Sequence, residues 1–367
     1  MLIYDTAMAM AILHAATSRE HSHRPPPYRP PLPSHKVPRK RTSMNEFAIS
    51  LVSRSPELGV LVEQAARFLE AAKANSTRQA YARDWNDFRQ FTQRHSLPFL
   101  PSTPEVVALY ISHLATRLSV STIRRRMSAI TNAHKEAGFP NSPASPRQHF
   151  VVREVLSGIK RSLGTAQHGA DPLLLDDIRK IVAATPDRLL LGLRDRALVL
   201  VGFSGAFRRS ELTTLLEVDD LDFTDDALYI RMRRSKTDQE GQGRTVAMPM
   251  GEHPETCPIR ALQTWLEAAG ITSGPVFRSV NRHGQVAEHA LSPRSVGKIL
   301  KRAAVRAGIN PASIAGHSLR AGMVTQAVIN GAEERAIMRT TGHRSVGMLR
   351  RYIRDGRAFG ATGQLGL

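Results

Sequence analysis

The sequence predicts a mainly helical α+β protein: a helical first domain, then a mostly helical second domain with a small antiparallel sheet. Three observations predict it. Aromatic residues make up 5% while hydrophobic residues reach 41%, which suits helical cores of Leu, Ile, Val and Ala. Apolar residues recur at helical spacing in most stretches, as in "VEQAARFLEAAK" and "CPIRALQTWLEAAG". One stretch, "ALYIRMRRSKTDQEGQGRTVAMPM", alternates instead around a glycine-rich turn. That is a hairpin pattern, with strands near 227–234 and 244–250.

Taken in order, residues 1–45 read as a disordered basic arm, because seven prolines fall within residues 25–38 and proline opposes helix. Residues 46–164 read as the helical first domain. "STRQAYARDWNDFRQFTQRH" puts Tyr81, Trp85, Phe88 and Phe91 on one stripe, a core face rather than a base-stacking platform. Thr103 followed by Pro104 marks a capped helix start. "SVSTIRRRMSAITNAHKEAG" is a further helix closed by Gly138. Its Arg124, Arg125 and Arg126 span nearly a turn, so at least one faces solvent. They are candidate phosphate contacts, with a merely solvated face as the alternative. "SPRQHFVVREVLSGIKRSLG" completes the domain, and polar, glycine-rich residues 165–172 form a linker.

The second domain spans 173–367. "LLLDDIRKIVAA" and "RDRALVLVGFSGAF" are helices, and "RRSELTTLLEVDDLDF" is expected to follow as helix with little break. After the hairpin come "CPIRALQTWLEAAG", "SPRSVGKILKRAAVRAG", "HSLRAGMVTQAVING" and "EERAIMRTTG", all helical.

Charge narrows the partner. The formal net charge is +19, and the first 45 residues account for only +5 of it. Basicity spread over folded domains predicts a polyanion, with nucleic acid ahead of an anionic membrane surface. The single cysteine, Cys257, excludes an intramolecular disulfide and fits a cytoplasmic setting. No apolar run is long enough to span a membrane. No Cys/His cluster has zinc spacing and no phosphate-cradling glycine loop is present, so no metal or cofactor is expected.

Metal-free cleavage of DNA needs fixed cations around the phosphate, a nucleophile, and an acid for the departing 5′ oxygen. Arginine suits the first task through its planar, permanently charged fork. "AFRRSELTTL" offers Arg208 with Glu211 three residues on, where a carboxylate can hold the guanidinium. "GHSLRAG" offers His317 and Arg320, "RRSKTDQEG" offers Lys236 at the mouth of a turn, and "TGHRS" offers His343. Tyr352 follows nine residues after His343. Each element alone is common on protein surfaces; the ordered set is not.

That ordered set resembles the tyrosine recombinases of the phage integrase family, over roughly residues 57–360. "GAFRRSEL" is similar to the family's first arginine stretch, with Arg208 in register; Arg209 is the neighbouring register, but the Ser-Glu-Leu spacing favours Arg208. "SKTD" matches its hairpin lysine through Lys236, and "HSLR" its His-x-x-Arg box through His317 and Arg320. His343 and Tyr352 match its second histidine and its nucleophile. The resemblance implies a site-specific recombinase that forms a 3′-phosphotyrosyl link and works through a Holliday junction, to integrate, excise or resolve a mobile element or replicon. It also implies that the helical first domain, residues 46–164, is the family's SAM-like core-binding, DNA-binding domain, with double-stranded DNA as partner and a homotetramer on two DNA sites, held at the nucleoid through DNA. A need for accessory proteins stays open. The alternatives are a type IB topoisomerase-like relaxing enzyme and a non-catalytic DNA-binding regulator on the same fold.

Overall fold

The computed structural model describes residues 56–72, 74–139, 141–165, 169–233, 243–343, 345–347 and 349. The expected arm over 1–45 lies outside the described residues, as do Lys236 and Tyr352. The chain divides into two compact units, residues 1–166 and 167–367. Among the described residues no helix is long and apolar enough to cross a membrane.

The first unit contains helices Pro56–Ala71 (α1), Asn75–Arg94 (α2), Pro104–Ala115 (α3), Val120–Glu136 (α4) and Phe150–Leu163 (α5). Helix α3 starts as the Thr-Pro pair predicts: the Thr103 side chain accepts from the Val106 N–H at 3.4 Å, with Pro104 at the first position. Helix α4 gives way at Gly138, whose φ of +84° suits glycine. The aromatic stripe of α2 turns inward. Phe88 and Phe91 are buried, and Phe88 meets Tyr110 edge-on at 5.0 Å. They join Ile111, Leu114, Ile123 and Ile130 in one core, where each such side chain contributes about 1.5–3 kcal/mol. The C-terminal part of the stripe is therefore core, with Trp85 half-buried against it, while Tyr81 lines a surface groove.

The second unit contains helices Leu175–Ala183 (α6), Leu190–Ser204 (α7), Pro258–Ala269 (α8), Pro293–Arg306 (α9), Ser318–Ile329 (α10) and Glu334–Thr341 (α11). Its strands are Leu221–Phe223 (β1), Ala227–Met232 (β2), Arg244–Pro249 (β3), Arg278–Val280 (β4) and Val286–Ala290 (β5). Helix α7 is buried on nearly every side, from Ala197 to Gly202 without a break, which explains its lack of a polar stripe. Trp265 of α8 is fully buried and its indole N–H donates to the Val276 carbonyl at 2.9 Å. Strands β1, β2 and β3 form an antiparallel sheet in that order. Leu228 faces Met248 and Ile230 faces Val246, so the apolar half of the alternation lies inward.

Two expectations need correction. The stretch "RRSELTTLLEVDDLDF" does not continue as helix. It makes a five-residue π-helical turn over Glu211–Leu215, a 3₁₀ turn over Val218–Asp220, and then β1. The hydroxyls of Thr213 and Thr214 donate back to the carbonyls of Arg209 and Ser210, which loosens the helical ladder. Leu221 then pairs opposite Ile230. Besides the expected sheet, β4 and β5 form a second hairpin. Its turn is built by Asn281, whose side-chain oxygen accepts from the N–H groups of His283 and Gln285.

One contact aligns the helix that carries Arg320. The N–H groups of Asp171 and Leu173 donate to the carbonyls of Ser313 and Ser318. The chain thereby crosses α10 at Gly322, where a Cβ would sit 1.8 Å from the Leu173 carbonyl oxygen. Only glycine permits that approach.

Candidate active site

The site starts where α7 ends. Gly205 caps the helix and the buried Ala206 takes a φ of +48°, a left-handed backbone that costs an alanine about 1–2 kcal/mol. The turn aims the Ala206 carbonyl at Arg320, whose Nη1 donates to it at 2.7 Å. Backbone strain here is tied to holding a buried guanidinium.

Glu211 is fully buried, and a buried carboxylate demands partners. It accepts from the Arg208 backbone N–H at 3.0 Å and from Arg208 Nη1 at 2.5 Å. A second guanidinium, Arg244 Nη2, donates to its Oε2 at 3.3 Å. Arg209, the rival register, is exposed. The carboxylate therefore engages Arg208 and leaves Arg209 outside.

Arg320 is buried to 1% exposure. Its Nη2 donates to the Thr341 carbonyl at 2.7 Å and lies 2.9 Å from His343 Nε2. A guanidinium can only donate, so Nε2 is the acceptor and His343 carries its proton on Nδ1. That Nδ1–H then donates to Thr341 Oγ1 at 2.9 Å, and the Thr341 hydroxyl donates to the Ile337 carbonyl at 2.7 Å. The chain of bonds sets the tautomer. Burial, followed by the charges of Arg320, Arg208, His317 and Arg244, pulls the His343 pKa down to about 4. His343 is thus neutral at pH 7. His317 is exposed at the start of α10. Desolvation by its surroundings, and then the Arg320, Arg208 and Arg209 charges, also lower its pKa.

The second unit thus brings Arg208, Glu211, His317, Arg320 and His343 under one another's influence. Lys236 and Tyr352 lie outside the described residues. Leu349, three positions before Tyr352 in sequence, is buried with Val324 of α10 and Ile337 of α11. Sequence reasoning missed Arg244 and Thr341. Arg244 had a signal: strand alternation puts it on the same face as the inward Val246 and Met248, where a cation needs a buried partner. Thr341 had none.

In the first unit the three arginines part company. Arg125 pairs with Asp84, and Arg126 pairs with Asp87 and donates to the Tyr110 hydroxyl at 2.9 Å. The Tyr110 hydroxyl in turn donates to Asp87 at 2.7 Å, and burial raises its pKa. Arg124 is exposed and lines a surface groove with Lys135, Arg147 and Lys160.

The second unit thus sets a cluster of guanidinium and imidazole groups beside a small antiparallel sheet, an arrangement of fixed cations able to hold a phosphate. Comparison with known proteins makes this specific. The phage integrase family matches residues 172–357, and the phage integrase N-terminal SAM-like domain matches residues 63–137. An integrase/recombinase xerD homolog of Selenomonas ruminantium is 40% identical over 296 residues, covering 81% of this chain and 86% of its own. Tyrosine recombinase XerC of Syntrophus aciditrophicus (strain SB) is 25% identical over 286 residues, covering 77% and 88%. The XerH site-specific recombinase, in a post-cleavage complex with palindromic difH substrate, shares the fold at a TM-score of 0.56 and 16% identity, over 89% of each chain. The chain belongs to the phage integrase family, the tyrosine-type site-specific recombinases that break and rejoin DNA strands.

Proposed function

We propose that Tyr352 attacks a scissile phosphate held by Arg208, Arg320, His317 and His343, and that Lys236 protonates the departing 5′ oxygen. The phosphorus–oxygen bond to the 5′ side breaks as the bond to the phenolic oxygen forms. The 5′ side leaves as a hydroxyl, and the phenolic proton passes to His317. The 3′-phosphotyrosyl link is then attacked by a partner 5′-hydroxyl, which restores the tyrosine. Two such exchanges through a Holliday junction complete recombination, with four protomers on two DNA sites. The substrate is double-stranded DNA of a mobile element or replicon.

The observation that supports this reading best is the arrangement around Arg320: buried, aimed by the carbonyls of Ala206 and Thr341, and bonded to a neutral His343. Fixed cations of this kind stabilise a phosphorane-like transition state without reorganising. The lowered pKa of His317 keeps its imidazole neutral near pH 7, as a proton acceptor must be.

The test uses the full chain and a pool of nicked duplexes with randomised inverted repeats, recovering DNA that stays bound to protein in detergent. Wild type is expected to trap a selected site covalently, and Tyr352→Phe to bind the same site without trapping it. An adduct that persists in Tyr352→Phe removes the nucleophile from this scheme. Absence of any adduct from wild type favours a DNA-binding regulator.

A further inference from the structure

Arg244 belongs to none of the motifs that point to the reaction, yet it bonds directly to the carboxylate beneath Arg208. Its Nη2 donates to Glu211 Oε2 at 3.3 Å, and its Nη1 donates to the Thr340 carbonyl in the last turn of α11. Its Nε is buried without a hydrogen-bond partner, so the group is held through its two terminal nitrogens. Gly342 makes room for it. With φ at +67°, a Cβ there would sit 3.1 Å from Arg244 Nε and 3.3 Å from its Cζ.

The charges explain why a second guanidinium is needed. Glu211 takes two bonds from Arg208. Alone, that pair is formally neutral and exerts little pull on a phosphate. Arg244 adds a second positive charge to the same carboxylate. The partly negative C-terminal end of α11 offsets part of the expense of burying it. Burial pulls the Arg244 pKa down and the Glu211 charge opposes this, while Arg208 adds to the lowering. The two guanidiniums therefore repel each other, and an arriving phosphate relieves that repulsion.

We propose that Arg244 is a positioning residue for strand cleavage: by sharing Glu211, it adds a second positive charge to the Arg208–Glu211 pair, so that the group as a whole attracts the scissile phosphate. This rests on the phosphate-binding role of Arg208 proposed above. It adds a residue on β3 that ties the turn at Glu211 and the end of α11, at Thr340 and Gly342, to a single electrostatic task.

The experiment measures adduct formation by the full chain on two versions of the duplex selected on wild type. One carries the ordinary phosphate at the mapped cleavage position. The other carries a methylphosphonate there, in which a methyl replaces one charged oxygen. Arg244→Met is expected to cleave the phosphate substrate about 100-fold more slowly than wild type, with binding of intact duplex within about threefold. On the uncharged methylphosphonate the gap is expected to close to about threefold, because the missing cation no longer matters. A gap of equal size on both substrates means a purely structural role and overturns the proposal. Should Arg244→Met fail to fold, Arg244→Lys retains the charge. It is expected to stay within about tenfold of wild type on the phosphate. A 100-fold loss in folded Arg244→Lys that persists on the methylphosphonate overturns the proposal equally. No adduct from wild type on any duplex overturns the proposed function and this role with it.

Discussion

Acid should loosen the second unit through His343, and the size of the effect follows from its surroundings. The ring is buried to 6% exposure, accepts from Arg320 at Nε2, and has its pKa lowered from 6.5 to about 4. Between those values the unfolded chain binds a proton that the native state refuses, so stability falls as pH falls through this window. One pKa unit corresponds to about 1.4 kcal/mol, so this residue costs the fold about 2 kcal/mol at pH 5 and about 3 kcal/mol below pH 4. At pH 7.5 the cost is close to zero. His343→Gln removes the titration while keeping a polar side chain. Urea unfolding at pH 7.5 and pH 5, followed by fluorescence of the buried Trp265 in a Trp85→Phe background, reports on the second unit alone. The unmutated chain is expected to lose about 2 kcal/mol more than His343→Gln over that interval. Other titrating groups are common to both proteins and cancel in the difference. Parallel losses, or an imidazole that titrates near 6.5 by NMR, would refute the reasoning.

Other outcomes follow from the same contacts. Glu211→Ala leaves Arg208 and Arg244 part-buried side by side without their shared carboxylate, and is expected to destabilise the second unit by about 2–4 kcal/mol in urea unfolding. Gly342→Ala must hold a left-handed φ and presses on Arg244; a loss of about 1–2 kcal/mol is expected, with slower adduct formation on the nicked duplex. Arg124→Ala is expected to weaken DNA binding and lower the slope of log affinity against log salt by about 1, with unfolding unchanged. Arg126→Ala is expected to do the reverse, lowering the first unit's stability by about 1–3 kcal/mol, because Tyr110 and Asp87 lose a part-buried partner.

Much of the fold was legible because its signals are local. The Thr103 cap, the Gly138 stop, the α2 stripe and the β2–β3 hairpin each rest on residues within one or two turns of each other. The stretch after Arg208 misled because its leucines keep helical spacing, while Thr213 and Thr214 bond back to the chain and Leu221 finds a strand partner in Ile230. The β4–β5 hairpin was missed although "NRHG" carries a turn signal. At the candidate site, the Arg208–Glu211 spacing already indicated a salt bridge, and the structure supplies it at 2.5 Å.

By itself, then, the chain of residues determined helical phase, strand alternation and the pairing of Arg208 with a carboxylate three positions on, since these depend on neighbours one turn away. Tertiary structure alone decided the rest. Arg320 reaches Ala206 across 114 positions and Arg244 reaches Thr340 across 96. The proton on His343 sits where it does because Arg320 occupies the other nitrogen. Of three consecutive arginines, the two that pair with carboxylates were chosen by the placement of Asp84 and Asp87 on another helix. Charge state, tautomer and the sharing of a buried carboxylate depend on desolvation and on distant partners, and only a folded chain sets either.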